Sequence, residues 1–218
     1  MNAPGRTWNA RAEGFVLAGG RSSRMGRDKA LVALLGLPMI EHSVTVLRAA
    51  GLRTRIAGGT LALEEFAEVV RESCGRLGPL GGVCAALAAC QKERAVFLPV
   101  DMPLMAPRMV KVLLEAAEDA DAAIALAALD GKAQSFPAVV RRDALTALRG
   151  ELEAGRRACL RAFQAAAGAL GQTPLLVAAE PVANDPRMVE AWFTNLNTEE
   201  DVRRAEALPD ARPLGLKG

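Results

Sequence analysis

The chemically richest stretch is residues 17–29, Leu17-Ala18-Gly19-Gly20-Arg21-Ser22-Ser23-Arg24-Met25-Gly26-Arg27-Asp28-Lys29, where three glycines and four cations follow a short apolar run. Glycines let backbone N–H groups approach an anion with no Cβ in the way, and Arg21, Arg24, Arg27 and Lys29 add positive charge. The segment reads as an anion-binding loop suited to a triphosphate. Neither GxxxxGK[ST] nor GxGxxG can be threaded through it, so it is a different kind of phosphate loop. Taken alone, the same residues also fit a solvated basic turn; their strict order weighs for the loop.

A second position of interest is Asp101 in Leu98-Pro99-Val100-Asp101-Met102-Pro103, where an apolar run ends in a carboxylate and a proline turns the chain away. A carboxylate at a strand mouth beside bound phosphates suits Mg²⁺, which takes one or two protein oxygens and completes its octahedron with phosphate and water. The plain structural alternative is a turn cap. Leu77-Gly78-Pro79-Leu80-Gly81-Gly82 offers main chain against which a flat ligand can lie, and equally an ordinary entry into a helix. Gly155-Arg156-Arg157, with Arg161, offers guanidinium forks for phosphate, although three arginines on a helix also make a solvated face. In Phe193-Thr194-Asn195-Leu196-Asn197-Thr198-Glu199-Glu200-Asp201, Thr198 and the acids after it form a good helix start.

The pattern LAGGxSxRMGxDKxL, read from Leu17 to Leu31, resembles the N-terminal signature of molybdenum cofactor guanylyltransferases and their nucleotidyltransferase relatives. Asp101 with Pro103 and Pro107 resembles that family's metal-binding motif, the Gly78-Pro79-Leu80 turn its base-binding segment, and 193–201 its FxNxNTPEDL close, with Glu199 in place of proline. The resemblance runs from about Gly14 to Leu208. It implies a three-layer α/β/α, mostly parallel, Rossmann-like sheet of the nucleotide-diphospho-sugar transferase type. It also implies transfer of GMP from GTP to molybdopterin-bound molybdenum cofactor, with Mg²⁺ and release of pyrophosphate.

Carried over residue by residue, the resemblance assigns catalysis to Lys29, Arg24 and Asp101. The nucleotide would meet Leu17, Ala18, Gly19, Gly20, Lys29, Glu72, Gly78, Pro79, Leu80, Gly81 and Asp101. The second substrate would meet Arg156, Arg157, Asn195 and Asn197, and Asp101 would hold the metal. Transient contact with cofactor-insertion proteins or molybdoenzymes is also implied. The match departs in three places. The family's Asn after the second strand is replaced by Gly58 or Gly59, its Asp before the GPL turn by Glu72, and near Gln134 the proline comes later, at Pro137. These departures leave open a sibling enzyme using CTP on the same pterin, or another triphosphate on a sugar phosphate. A non-catalytic nucleotide-binding module is the alternative of another class.

Such residues need a scaffold, and short apolar runs alternating with helix-period segments predict one: a mostly parallel sheet covered by helices on both faces. Strands are expected at 14–18, 54–57, 95–100, 122–126 and 136–140. Helices are expected from Glu41 to Ala50, from Leu80 to Cys90 and from Pro107, where Met109, Val110, Leu113, Leu114 and Ala117 share a face. Residues 150–171 read as helical, packing in the same domain or forming a separate helical subdomain. Ligands of such sheets collect beyond the carboxyl ends of the strands, so the loops after Ala18, Ala57 and Val100 are expected to meet on one edge.

The 218-residue chain suits one nucleotidyltransferase domain over 13–208, with flexible segments at 1–12 and 209–218. With 27 basic and 25 acidic residues and no tyrosine, it offers neither a broad basic face for duplexes nor stacking platforms for single strands. No nucleic acid partner is expected. Cys74, Cys84, Cys90 and Cys159 form no CxxC pair and His42 is the only histidine, which argues against a zinc site and favours reduced thiols. His42 is read as a partly buried structural residue. No signal-type or bilayer-length apolar run is present, so a cytoplasmic protein without membrane contact is expected.

Overall fold

The computed structural model describes residues 10–19, 28–71, 77–183 and 185–208, with the side chains of 186 and 187 left aside. Gly20, Arg24, Glu72, Cys74, most of the expected lead-in and the expected tail lie outside the described residues. In chain order the strands are β1 (Ala12–Leu17), β2 (Ala33–Leu34), β3 (Leu37–Pro38), β4 (Arg53–Ala57), β5 (Val69–Val70), β6 (Arg94–Pro99), β7 (Ile124–Leu129), β8 (Lys132–Arg141) and β9 (Leu175–Ala178). The α-helices are α1 (Met39–Ala49), α2 (Pro79–Ala89), α3 (Pro107–Asp119), α4 (Leu145–Glu153), α5 (Cys159–Ala169), α6 (Pro186–Trp192) and α7 (Glu199–Glu206).

Seven strands form one sheet in the order β5-β4-β1-β6-β8-β7-β9, and β2 pairs with β3 in a small hairpin. All neighbours in the main sheet run parallel except β8, which is antiparallel to both β6 and β7. The central strand β1 is buried along its whole length, which is why it reads as an unbroken apolar run once Glu13 is set aside. It starts at Ala12, so the sheet takes in the last residue of the expected lead-in. Gly14 faces α1, and a Cβ there would lie 3.2 Å from Leu47 Cδ1. The next residue, Phe15, faces the other way, with the Arg55 guanidinium over its ring and Arg55 Nη1 donating to Ala89 O at the end of α2. Alternate residues of one strand therefore seat α1 and α2 on opposite faces.

Helix α3 begins at Pro107 and buries Met109, Val110, Leu113, Leu114 and Ala117 as the periodicity predicts. Residues 150–171 divide between two helices, α4 and α5, which pack on each other, on α2 and, through α5, on β8. Leu148, Phe163 and Ala166 of these helices are part of the buried core. The expected strand at 122–126 lies two residues further on, and β8 begins four residues before the expected 136. The turn between β7 and β8 is Asp130-Gly131, both with positive φ (49° and 69°), so the two strands form a tight hairpin.

The strand ends that matter are next to one another. Ala18 N donates to Ala57 O at 3.0 Å, Val100 N to Leu17 O at 3.0 Å, and Gly58 N to Val70 O at 3.0 Å. The loops after Ala18, Ala57 and Val100 therefore leave from one edge, where connections depart from β1 toward β4 on one side and β6 on the other. Gly58 has φ +80°, and a Cβ on it would lie 3.1 Å from Gly19 Cα and 3.2 Å from Gly19 N. Gly58→Ala is expected to cost about 1 to 3 kcal/mol through backbone strain and crowding against the glycine loop. Urea unfolding monitored by circular dichroism checks this, and an unchanged midpoint would show that the two loops yield freely.

Candidate active site

The site is assembled from three stretches distant in sequence. Asp28 N-caps the 3₁₀ turn Lys29–Leu31, its Oδ1 accepting from Ala30 N at 3.1 Å, while Thr60 Oγ1 donates to its Oδ2 at 3.4 Å. Capping aims the next side chain, Lys29, across the strand ends. Lys29 Nζ donates to Asp101 Oδ2 at 3.0 Å and to Asn197 Oδ1 at 2.6 Å. Both partners of the ion pair are partly screened from solvent, with 16% of the lysine and 26% of the aspartate side chain exposed. Asp101 follows directly on β6, one residue past Val100, which is still tied to β1.

Asn197 is held as firmly as the two charged residues. Leu196 N donates to Asp101 O at 2.9 Å, so the segment before α7 is stitched to the strand-end loop. Asp201 Oδ2 accepts from both Asn197 N at 2.9 Å and Thr198 N at 2.8 Å, and Asp201 N donates back to Thr198 Oγ1 at 3.1 Å. This is a capping box, with Asp in the third helical position. The Thr198 hydroxyl first, then the Asn197 amide, hold the Asp201 carboxyl below the usual carboxylate range. Further along α7, Glu206 Oε1 accepts from Leu35 N at 2.9 Å in the β2–β3 hairpin.

The residues named from sequence do not all gather in one place. Leu17, Ala18, Gly19, Lys29, Asp101 and Asn197 lie at the same sheet edge. Gly78, Pro79, Leu80 and Gly81 form the entry to α2, with Gly78 at φ +78° and exposed and Leu80 buried. Asn195 is exposed two residues before Asn197. Arg156 and Arg157 sit between α4 and α5, and the Arg156 fork is filled by Glu151, with Nε to Oε2 at 2.6 Å and Nη2 to Oε1 at 2.7 Å. That pair lowers the Glu151 pKa and raises that of Arg156. Gly20, Arg24 and Glu72 lie outside the described residues.

Sequence reasoning missed the Lys29–Asn197 contact and the Asp28–Thr60 link; the Asp28 position beside Lys29 was the only available signal for the second. His42 is a structural residue, buried in α1 with Nε2 2.7 Å from Leu34 O. Burial raises the pKa of the Cys90 thiol and pushes that of Cys159 up to about 12. No helix among the described residues is long and apolar enough to cross a membrane.

A divalent cation fits Asp101 by its donor chemistry, because the carboxylate is a hard oxygen ligand that remains partly open to solvent. Among the described residues no three His, Cys, Asp or Glu side chains gather to hold a metal by themselves. A single carboxylate suits a cation that draws its remaining ligands from a substrate's phosphates and water.

A mostly parallel sheet with Gly19, Lys29 and the strand-end carboxylate of Asp101 at one edge defines an α/β protein with its candidate site at the carboxyl ends of the strands. Residues 14–180 match the family model of the MobA-like NTP transferase domain. A molybdenum cofactor guanylyltransferase of Xanthomonas euvesicatoria pv. vesicatoria is 36% identical over 157 residues, spanning 69% of this chain and 77% of the relative. A protein of the same name from Cupriavidus metallidurans is 35% identical over 154 residues, 66% of this chain and 76% of the relative. Among solved structures, molybdopterin-guanine dinucleotide biosynthesis protein A of Archaeoglobus fulgidus superposes with TM-score 0.72 at 24% identity, covering 89% of this chain and 96% of that one. CMP:2-keto-3-deoxy-manno-octonic acid synthetase in complex with CTP gives TM-score 0.66 at 16% identity, covering 90% and 97%. The chain belongs to the MobA-like NTP transferase family and is a nucleotidyltransferase.

Because the capping box fixes the segment that carries Asn197, Thr198→Ala is expected to cost about 1 kcal/mol. It should also speed amide exchange at Leu196 and Asn197. Urea unfolding and hydrogen exchange read the two effects, and unchanged exchange at Asn197 would show that the cap does not hold it.

Proposed function

We propose that this enzyme transfers GMP from GTP to the phosphate of molybdopterin-bound molybdenum cofactor, releasing pyrophosphate. The reading is supported by the family and by relatives named molybdenum cofactor guanylyltransferase. The observation that carries it is the Lys29–Asp101 contact at the strand ends, a cation and a hard carboxylate whose chemistry suits a triphosphate with its metal ion. A phosphate oxygen of the acceptor attacks the α-phosphorus of GTP, the bond from that phosphorus to the β-phosphate oxygen breaks, and pyrophosphate departs with the electron pair.

The acceptor's phosphate is largely dianionic at neutral pH because its second pKa is about 6, so the protein need not remove a proton. This agrees with a chain whose only histidine is committed to the backbone of Leu34. The work left to the protein is to align the reactants and neutralise charge. Lys29, with Arg24, meets the phosphates, and main-chain amides of Gly19 and Gly20 cradle them, the Ala18 amide being held by Ala57 O. The turn from Gly78 to Gly81 and Glu72 serve the nucleoside, while Arg157 and Asn195 face the acceptor. When bound, Mg²⁺ would supply Lewis-acid charge neutralisation at the phosphate oxygens, and Asp101 is the residue to hold it.

A second reading, CTP as donor to the same acceptor, is favoured by Gly58. An asparagine there would supply an amide for the base, but a side chain at that position has only 3.1 Å to the Gly19 backbone. Guanine selection then has to come from elsewhere in the site. A thermal-shift panel of GTP, CTP, ATP and UTP with Mg²⁺ separates the two readings, since a ligand stabilises the native state according to its occupancy. GTP is expected to give the largest shift; a larger shift with CTP would reassign the donor.

Asp101→Asn is expected to lower turnover at least about a hundredfold, the scale of losing one electrostatic contact to the transition state, with the fold intact. Pyrophosphate release with purified acceptor measures this. Turnover near the wild-type rate would remove Asp101 from the metal role.

A further inference from the structure

We infer that Asn197 is a positioning residue for Lys29 and acts on the donor side of the reaction, by aiming the lysine's remaining N–H at the triphosphate. The inference rests on the proposed role of Lys29 at the phosphates. A lysine ammonium has three donors and no acceptor. Here one donor is engaged by Asp101 Oδ2 at 3.0 Å and a second by Asn197 Oδ1 at 2.6 Å. Two fixed acceptors leave one N–H whose direction is determined, on a side chain that is only 16% exposed.

The two acceptors differ in what happens to them during the reaction. Asp101 is the candidate ligand for a divalent cation, and a cation on that carboxylate weakens its hold on a neighbouring ammonium by like-charge repulsion. Asn197 is neutral and its oxygen has no competing role on the donor side. It is therefore the acceptor that keeps Lys29 in place when Asp101 is occupied. Its backbone cannot easily follow a moving lysine, because Asp201 Oδ2 accepts from Asn197 N and Leu196 N is bonded to Asp101 O. Lysine alone has a long flexible stem that loses rotamer freedom when it is held. An anchor that pre-orders it transfers that cost from the binding step to folding.

Isothermal titration with inorganic tripolyphosphate, with and without Mg²⁺, tests the inference on the full chain. Asn197→Ala is expected to weaken tripolyphosphate binding about tenfold, the scale of one hydrogen bond to a charged group. In a Lys29→Ala background the same substitution should have no further effect, because the residue it positions is gone. Lysine labelling read by mass spectrometry gives an independent measure. Lys29 should be modified several-fold faster in Asn197→Ala while Lys92, Lys111 and Lys132 keep their rates.

Unchanged or tighter tripolyphosphate binding by Asn197→Ala overturns the inference, as does a loss that persists in full without Lys29, which would make Asn197 a direct phosphate ligand. Unchanged Lys29 labelling overturns it too, and an unaltered urea midpoint for the variant keeps a folding defect out of the comparison. Tripolyphosphate carries no base, so a donor other than GTP in the thermal-shift panel revises the proposed reaction and leaves this inference standing. Wild-type protein that binds neither tripolyphosphate nor any nucleoside triphosphate overturns both.

Discussion

A single ion pair, the Lys29 ammonium on the Asp101 carboxylate, links two loops 72 residues apart, and the geometry of the site follows from it. As a source of stability it is minor, because pairs near the surface contribute about 1 kcal/mol or less. Its consequence is positional. β1 and β6 are adjacent parallel strands, so the loops leaving their carboxyl ends emerge side by side, and the bond from Val100 N to Leu17 O fixes the register of the two exits. A cation from one loop and an anion from the other then meet over the strand ends without either loop having to reach. On the proposed reading, in which a triphosphate and a divalent cation share the site, each protein charge stands ready for a ligand charge of opposite sign.

Gly19, the residue after Ala18, is packed against the exit of β4. Gly58 lies against Gly19 so closely that a Cβ would crowd the loop's main chain. From sequence, the absence of a side chain after β4 reads as a lost amide contact; the structure adds a close approach of two backbones. This packing gains an approach of main chain to main chain where an amide side chain would otherwise stand.

The buried strands were legible because a strand covered on both faces needs apolar residues at successive positions. β1, β4 and β6 all lie within two residues of where their apolar runs place them. β5 and β9 were not legible: the first is two residues long, and the second alternates partly and fully exposed positions at the edge of the sheet. The β7–β8 hairpin did carry a readable signal in Asp130-Gly131, where both residues adopt positive φ, but alanine-rich flanks obscured the strand boundaries. At the site, residue types were legible through glycine and charge spacing, whereas the contact between Lys29 and Asn197 spans 168 residues and has no local signature. Arg156 shows the converse limit. Its type fits a phosphate, yet a nearby carboxylate, Glu151, satisfies both arms of its fork.

The family match ends at residue 180, and the contacts made after it tie the chain beyond that point to the candidate site. Leu196 reaches the main chain of Asp101, Asn197 reaches Lys29, and Glu206 reaches the β2–β3 hairpin that follows the Lys29 turn. Each bond runs from the last helix or its cap to one of the two loops that supply the charges. A sheet edge alone would leave those loops joined by one partly solvated ion pair, which a phosphate or a cation can open. The C-terminal segment adds three further bonds. Two involve one charged group, the Lys29 ammonium or the Glu206 carboxylate, and one joins neutral main-chain groups, Leu196 N to Asp101 O. That last bond offers no charge for a phosphate or a cation to displace, so it ties the segment before α7 to the Asp101 loop independently of the ion pair.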